Sequence, residues 1–235
     1  MKHITSMFVL CSFISILSSC KKDKENKTTS DAASGLLLSQ HVIGDTSIPF
    51  GPIDEQDAYA FFLSNPADPN SHTLVDSVLV NNFPLEIDAD SIGFLELEEV
   101  DMSSACNWRV VGNSNIPGFT FNFPVSYPAI SGNHVDTIAK GNGVTFHYSF
   151  TDADSVVIQI ASTQTGQTID KTFPGNSTSQ QFTASELQQL LLSSQAGNFK
   201  RLYTVNAMRS TNQPLAGRTF TFTKLTTSSH MTWVR

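Results

Sequence analysis

The chain has 235 residues, 14 of them Lys or Arg and 21 Asp or Glu, with a formal net charge of −7 at neutral pH. A hydrophobic share of 40% and a charged share of 15% describe ordinary globular material with enough apolar residues for a sizeable core. The acidity is concentrated: residues 36–130 hold 13 acids against Arg109 alone, whereas residues 131–235 hold 5 acids and 8 bases. An acidic first half argues against binding nucleic acid or an anionic membrane by charge alone, and the contrast predicts two β domains with different surfaces, 36–130 and 131–235.

Lys2 is followed by an apolar stretch from Ile4 to Leu17 and by the small residues Ser18 and Ser19. That is the layout of a secretory signal, and the stretch falls short of the roughly 20 apolar residues a membrane span needs. The run Leu17-Ser18-Ser19-Cys20 resembles a bacterial lipobox. The resemblance implies that residues 1–19 are a removed signal, that Cys20 becomes the lipidated first residue, and that the membrane is a partner through that anchor. Residues 20–35 carry both charge signs and no large apolar side chain before Leu36, which predicts a flexible tether. The start Cys20-Lys21-Lys22-Asp23-Lys24-Glu25 is similar to lipoproteins of the Bacteroidota, which implies an outer-membrane location with the face left open.

Within 36–130, apolar runs of strand length sit between Pro, Gly, Asn and Asp: Leu36–Ile43, Ala58–Leu63, Thr73–Val80, Phe94–Met102, Cys106–Val111 and Phe119–Val125. Phe119, Phe121 and Phe123 alternate with Thr120 and Asn122, which puts three rings on one face of a strand; a sheet core explains them better than a sugar platform. Cys106 is the one cysteine left once Cys11 goes with the signal and Cys20 is lipidated, so no internal disulfide forms. A buried thiol is expected.

Within 131–235, Val144, Phe146, Tyr148 and Phe150 alternate with polar residues, and Val156, Ile158 and Ile160 follow. Thr168–Phe173 and Ser177–Phe182 come next. Thr183-Ala184-Ser185-Glu186 is a capping box that predicts a short helix near 184–195, with Leu187, Leu190 and Leu191 on its apolar face and Gly197 at its end. Two strands close the chain, with Tyr203, Val205 and Ala207 on one face of the first and Phe220 and Phe222 on one face of the second. The fold class is therefore all-β, two sandwich-like domains. The series of short strands, with Tyr203-Thr204-Val205-Asn206-Ala207 near the end, resembles immunoglobulin-like and fibronectin type III domains over residues 135–228.

The chemistry-bearing patterns are thin. Asp88, Asp90, Gly93 and Glu99 match the first, third, sixth and twelfth positions of a calcium loop, but Ile92 occupies the fifth and the flanks alternate like strands, so a hairpin turn is expected and no metal. Glu98 and Glu99 are adjacent and would point to opposite faces, a poor acid–base pair. His41, His72, His134, His147 and His230 show no zinc spacing, although His134-Val135-Asp136 sets two ligand types on one strand face. No nucleophile elbow, phosphate loop or dinucleotide fingerprint occurs, so neither a cofactor nor catalysis is expected. Asp76-Ser77-Val78, Asp90-Ser91-Ile92, Asp136-Thr137-Ile138 and Asp154-Ser155-Val156 resemble the O-glycosylation acceptor pattern of Bacteroidota envelope proteins. Trp108, Tyr127 and Trp233 are the aromatics to consider for ligand stacking. The expected role is a lipid-anchored, non-catalytic binding or structural module with a protein or glycan partner. An envelope hydrolase with an inter-domain site and a glycan-binding accessory lipoprotein are the alternatives.

Overall fold

A computed structural model describes residues 33–44, 52–87, 95–98, 100–139, 141–161, 168–188 and 199–234. The expected signal, Cys20, most of the expected tether, the stretch Asp88–Gly93 with Glu99, and residues 189–198 lie outside them. In chain order the strands are β1 (Gly35–Gly44), β2 (Ile53–Phe62), β3 (Ser77–Val80), β4 (Phe83–Pro84), β5 (Glu86–Ile87), β6 (Leu95–Glu98), β7 (Cys106–Val111), β8 (Phe119–Phe123), β9 (Ala129–Gly132), β10 (Thr137–Ile138), β11 (Val144–Phe146), β12 (Tyr148–Thr151), β13 (Ser155–Ala161), β14 (Thr168–Pro174), β15 (Gln180–Phe182), β16 (Phe199–Leu215) and β17 (Arg218–Val234). Helix α1 (Ala184–Gln188) precedes β16. The chain is all-β and sandwich-like.

The backbone of the structure is the β16–β17 hairpin, with 17 residues in each strand, about 55 Å of strand at roughly 3.3 Å per residue. Its two-residue turn puts Ala216 at φ 50° and Gly217 at φ 80°, the paired left-handed geometry that matches the twist of the flanking strands. A nine-stranded sheet grows from this hairpin, in the order β14-β13-β16-β17-β1-β2-β6-β5, with β10 also pairing β17. β1 lies parallel to β17 over the register Gly35↔Phe220 to Gly44↔Ser229. β5 and β6 pair antiparallel, Ile87 opposite Leu95. The flanks of the acidic stretch Asp88–Gly93 are therefore paired antiparallel strands, as their alternation predicted.

Two cores form on one face of this sheet. In the first, β4-β3-β7-β8 make a facing sheet that brings Val78, Val80, Trp108 and Val110 together with Leu37, Ala58, Ala60, Phe62, Phe220 and Phe222. The predicted phenylalanine stripe is core: Phe119 stacks 4.3 Å from Phe220 and Phe121 4.1 Å from Phe222. Asn81 (φ 49°) and Asn82 (φ 70°) turn the chain between β3 and β4, a conformation Asn tolerates better than most residues. The Asn81 side chain then bonds Asp101 O, Ala105 O and Asn107 N, which fixes the segment between β6 and β7.

The second core joins Val156, Ile158, Ile160, Tyr203, Val205 and Ala207 of the long sheet to Phe146, Tyr148, Phe182 and Leu187. The run 144–150, expected as one strand, is two. β11 pairs β15, whereas β12 pairs β9. Between them the Gln180 side chain replaces a strand neighbour: its Oε1 accepts from Tyr148 N at 3.2 Å and its Nε2 donates to Tyr148 O at 3.4 Å. The capping box forms as predicted, with Thr183 N donating to Glu186 Oε2 at 2.7 Å and Glu186 N to Thr183 Oγ1 at 3.3 Å. The change of charge near residue 130 falls between the two cores in sequence, but Phe220 and Phe222 return to complete the first. One hairpin serves both.

Candidate functional site

Two polar clusters sit on the inward face of β17, one beside each core. Alternation dictates their positions: Phe220 and Phe222 point inward, so Lys224, Thr226, Ser228, His230 and Thr232 do as well. Lys224, Thr226 and Thr232 are 0%, 2% and 1% exposed.

The first cluster is built around Lys224, which faces Ser39 across the β1–β17 ladder. Its Nζ donates to Met102 O and lies 4.4 Å from the centroid of the Tyr127 ring. Cys106 Sγ is 3.5 Å from Ser39 Oγ and 4.0 Å from Met102 O, while Met102 N donates to Gln56 Oε1 at 2.7 Å. Tyr127 closes the cluster, its hydroxyl donating to Gln40 O at 3.4 Å. Burial pushes the Lys224 ammonium below the ordinary lysine range, opposed by Cys106 and Asp101. Burial also pushes the Cys106 thiol up, opposed by Ser39 and Lys224, and the Tyr127 phenol up. Desolvation thus drives all three groups toward their neutral forms. A buried, protonated thiol is a poor nucleophile. What the cluster can do is hold three layers together: β17, the segment 100–105 and the stretch 124–128.

The second cluster lies where β10 meets the end of β17. Tyr203 OH accepts from Val135 N at 2.9 Å and shares a hydrogen bond with Tyr148 OH at 3.0 Å. His230 lies over Tyr203 at 5.2 Å and is parallel to His134 at 5.6 Å, with 4° between the rings. His134 Nε2 pairs with Asp136 Oδ1 at 2.6 Å, and His230 Nε2 with Ser228 Oγ at 2.8 Å. The expected His134–Asp136 neighbours do meet. Each imidazole nitrogen named here is turned to its own partner rather than to a shared centre, and among the described residues no group of three His, Cys, Asp or Glu is placed to hold a metal.

The three aromatics considered for stacking are not brought together. Trp108, 1% exposed, is interior to the first core and offers no face to a ligand. Tyr127 is the lid on Lys224. Trp233 is 40% exposed, and its N donates to Asp136 O at 2.8 Å, but alternation along β17 sets its ring on the opposite face from His230. Cys20 lies outside the described residues.

The Asp-Ser/Thr-aliphatic tripeptides share one placement. Ser77, Thr137 and Ser155 are each the first residue of a strand, followed by Val78, Ile138 and Val156 at 0%, 1% and 0% exposure. The preceding Asp is exposed in each case and its backbone extends the pairing: Asp76 N bonds Val111 O at 3.0 Å, and Asp154 N bonds Met208 O at 2.8 Å. The pattern is a way of entering a strand with the aliphatic residue as anchor. Asp90-Ser91-Ile92 lies outside the described residues.

Lys224 is the residue sequence reasoning missed. Arg109 is the basic residue nearest Cys106 in sequence, but the one placed beside the thiol is Lys224, which is remote in the chain. The signal was present in Phe220-Thr221-Phe222-Thr223-Lys224, where strict alternation carries the lysine onto the face of the two rings.

No family model matches the chain, and no curated protein matches it. Among solved structures, it is similar to the Bacteroides ovatus mixed-linkage glucan utilization locus protein SGBP-B, in complex with a mixed-linkage heptasaccharide, at 12% identity and a TM-score of 0.17. The match covers 87% of this chain and 47% of that one, so the chain spans about half the length of that protein. A TM-score this low carries no argument about fold or ligand.

Proposed function

We propose that the protein is a lipid-anchored envelope module that binds or supports a partner without catalysing a reaction, its body of the immunoglobulin-like kind and its anchor at Cys20. The observation that supports this reading most is the shared hairpin. A single pair of 17-residue strands carries both cores, and a buried polar group beside each core is tied into the fold, Lys224 to Met102 O and Tyr203 to Tyr148. Titratable groups used this way stiffen a frame, and a stiff frame is what loops need in order to present a binding surface. The partner is a protein or a glycan of the envelope.

Two experiments test the reading. Metabolic labelling with radioactive palmitate is expected to mark the wild type and not Cys20→Ser; label on both removes the anchor. Purified protein is then screened against an array of envelope and plant glycans, with Trp233→Ala as the control for stacking. Turnover of any arrayed glycan, lost on His134→Ala, would favour the hydrolase alternative and sink the non-catalytic one.

A further inference from the structure

The connection between the two cores has an unusual balance of contacts. In residues 124–136, Pro128 alone is buried, whereas Pro124, Ser126, Ala129, Ser131, Gly132, Asn133, His134 and Asp136 are exposed. Its apolar side chains Val125, Tyr127, Ile130 and Val135 are half-buried against the cores. The rest of its attachment is polar: β9 within it pairs β12 from Ala129↔Thr151 to Gly132↔Tyr148 through backbone hydrogen bonds, and the segment runs along the inward stripe of β17. Tyr127 covers Lys224 at 4.4 Å, Pro128 O accepts from Thr226 Oγ1 at 2.6 Å, His134 stacks on His230 at 5.6 Å and Val135 N donates to Tyr203 OH at 2.9 Å.

A segment that buries little apolar surface is among the first parts of a native protein to open, at a free energy below that of global unfolding. The surface beneath it is suited to such opening. Phe222 would be costly to wet, but Thr226, Ser228 and His230 replace each lost contact with water at small net cost. Thr226 and Ser228, at 2% and 8% exposed, are thus covered without being apolar. Beneath the Tyr127 end lie the Lys224 amine and the Cys106 thiol, both 0% exposed.

We propose that residues 124–136 form a strap that opens as a unit while both cores stay folded, and that this opening controls access of solvent and of thiol reagents to Cys106 and Lys224. The closed strap keeps a thiol and an amine out of contact with the oxidising surroundings of an envelope protein. The open strap presents them together on a polar stripe.

The test uses the full chain with Cys11→Ser and Cys20→Ser, which leaves Cys106 as the one thiol. Its labelling by an aromatic disulfide reagent is followed against urea well below the unfolding transition. The expected result is a labelling rate that stays flat over low urea, since a small opening exposes little surface, and that rises only when global unfolding takes over. Thr226→Val keeps the volume and removes the bond to Pro128 O; it is expected to label roughly fivefold faster, the factor one hydrogen bond of ordinary strength supplies, with little change in Tm. Hydrogen exchange should show amides 125–135 responding to the same substitution, and those of β7 and β13 unchanged. A labelling rate that tracks global unfolding at every urea concentration overturns the strap, as does a Thr226→Val protein that labels at the parental rate.

Discussion

The two cores draw on the same hairpin and solve the problem of interior polarity differently. Beside the first, β17 places an amine, Lys224, whose partners are a carbonyl oxygen and the face of a ring. Beside the second, β16 contributes a phenol, Tyr203, bonded to a second phenol and to a backbone N–H. The phenols are neutral and each satisfies the other. The amine has no carboxylate among the partners bonded to it, so burial acts on its charge directly and lowers its affinity for a proton. The lesson is that a β-sandwich admits a buried amine where a carbonyl and an aromatic lid are supplied by irregular segments, here 100–105 and 124–128, rather than by the facing sheet.

The largest effect that would break this comparison is expected from Lys224→Ala. It leaves a cavity and an unpaired Met102 carbonyl, and should cost about 3 kcal/mol in chemical denaturation. Lys224→Met keeps the volume and removes the charge, and should cost much less. If the two variants are equally damaged, the amine is needed as a donor and not as packing. The same pair reads the charge. Because the folded pKa of Lys224 lies below its usual 10.5, the unfolded state holds the proton longer, and stability rises as pH climbs from the folded value toward 10.5. Cys106, pushed up from 9.0, acts in the opposite direction above that pH. The expected signature is therefore the difference between wild type and Lys224→Met, which should widen in favour of wild type as pH rises toward 10.5.

On the second core, Tyr203→Phe removes two hydrogen bonds at constant packing and should cost about 1–2 kcal/mol, measured by urea unfolding. A loss as large as that of Lys224→Ala would mean the phenol pair is no gentler a solution than the amine.

A smaller effect lies in the turn both cores share. Ala216 holds φ 50° where glycine or asparagine is at ease, so Ala216→Gly should raise stability by about 0.5–1 kcal/mol. Both cores should benefit together; a shift confined to one would show that the hairpin does not couple them. The last test concerns Glu186 at the rim of the second core. Hydrogen bonds from the Thr183 backbone, then from Lys171 and the Thr183 hydroxyl, hold its carboxyl down at about 2. Its contribution is complete above the usual 4.5 and is lost as pH falls toward 2. The Tm difference between wild type and Glu186→Gln should vanish over that interval.

Much of this architecture was legible locally. The strand Cys106–Val111 shows alternating burial as its sequence requires, the capping box around Thr183 formed, and the phenylalanine stripe was core. What local pattern did not carry was the length of the final hairpin and its neighbours. Thr226, Thr227, Ser228 and Ser229 have no apolar alternation, so nothing in their pattern announces a strand; they belong to one because their backbone pairs β16 and β1 on both sides. The split at His147 was hidden for a related reason, since its cause is a side chain thirty-odd residues away, Gln180, bonding the Tyr148 backbone. Trp108 and Trp233 look alike in sequence as stacking residues, and only the facing sheet separates an interior ring from a surface one.

The parallel pairing of β1 with β17 has a kinetic meaning. Leu37 and Phe222 are register partners, separated by nearly the whole described chain. Pairs this remote pay loop-closure entropy before they return any contact energy, which slows folding. While the chain is made from its N-terminus, β1 and β2 can form a hairpin early, yet the edge of β1 stays open until Arg218–Val234 has been synthesised. The first core, which lacks Phe220 and Phe222 until then, is the last to close although most of its residues come first. A protein truncated before residue 218 would expose that edge permanently, and aggregation rather than a smaller native fold is the outcome its geometry favours.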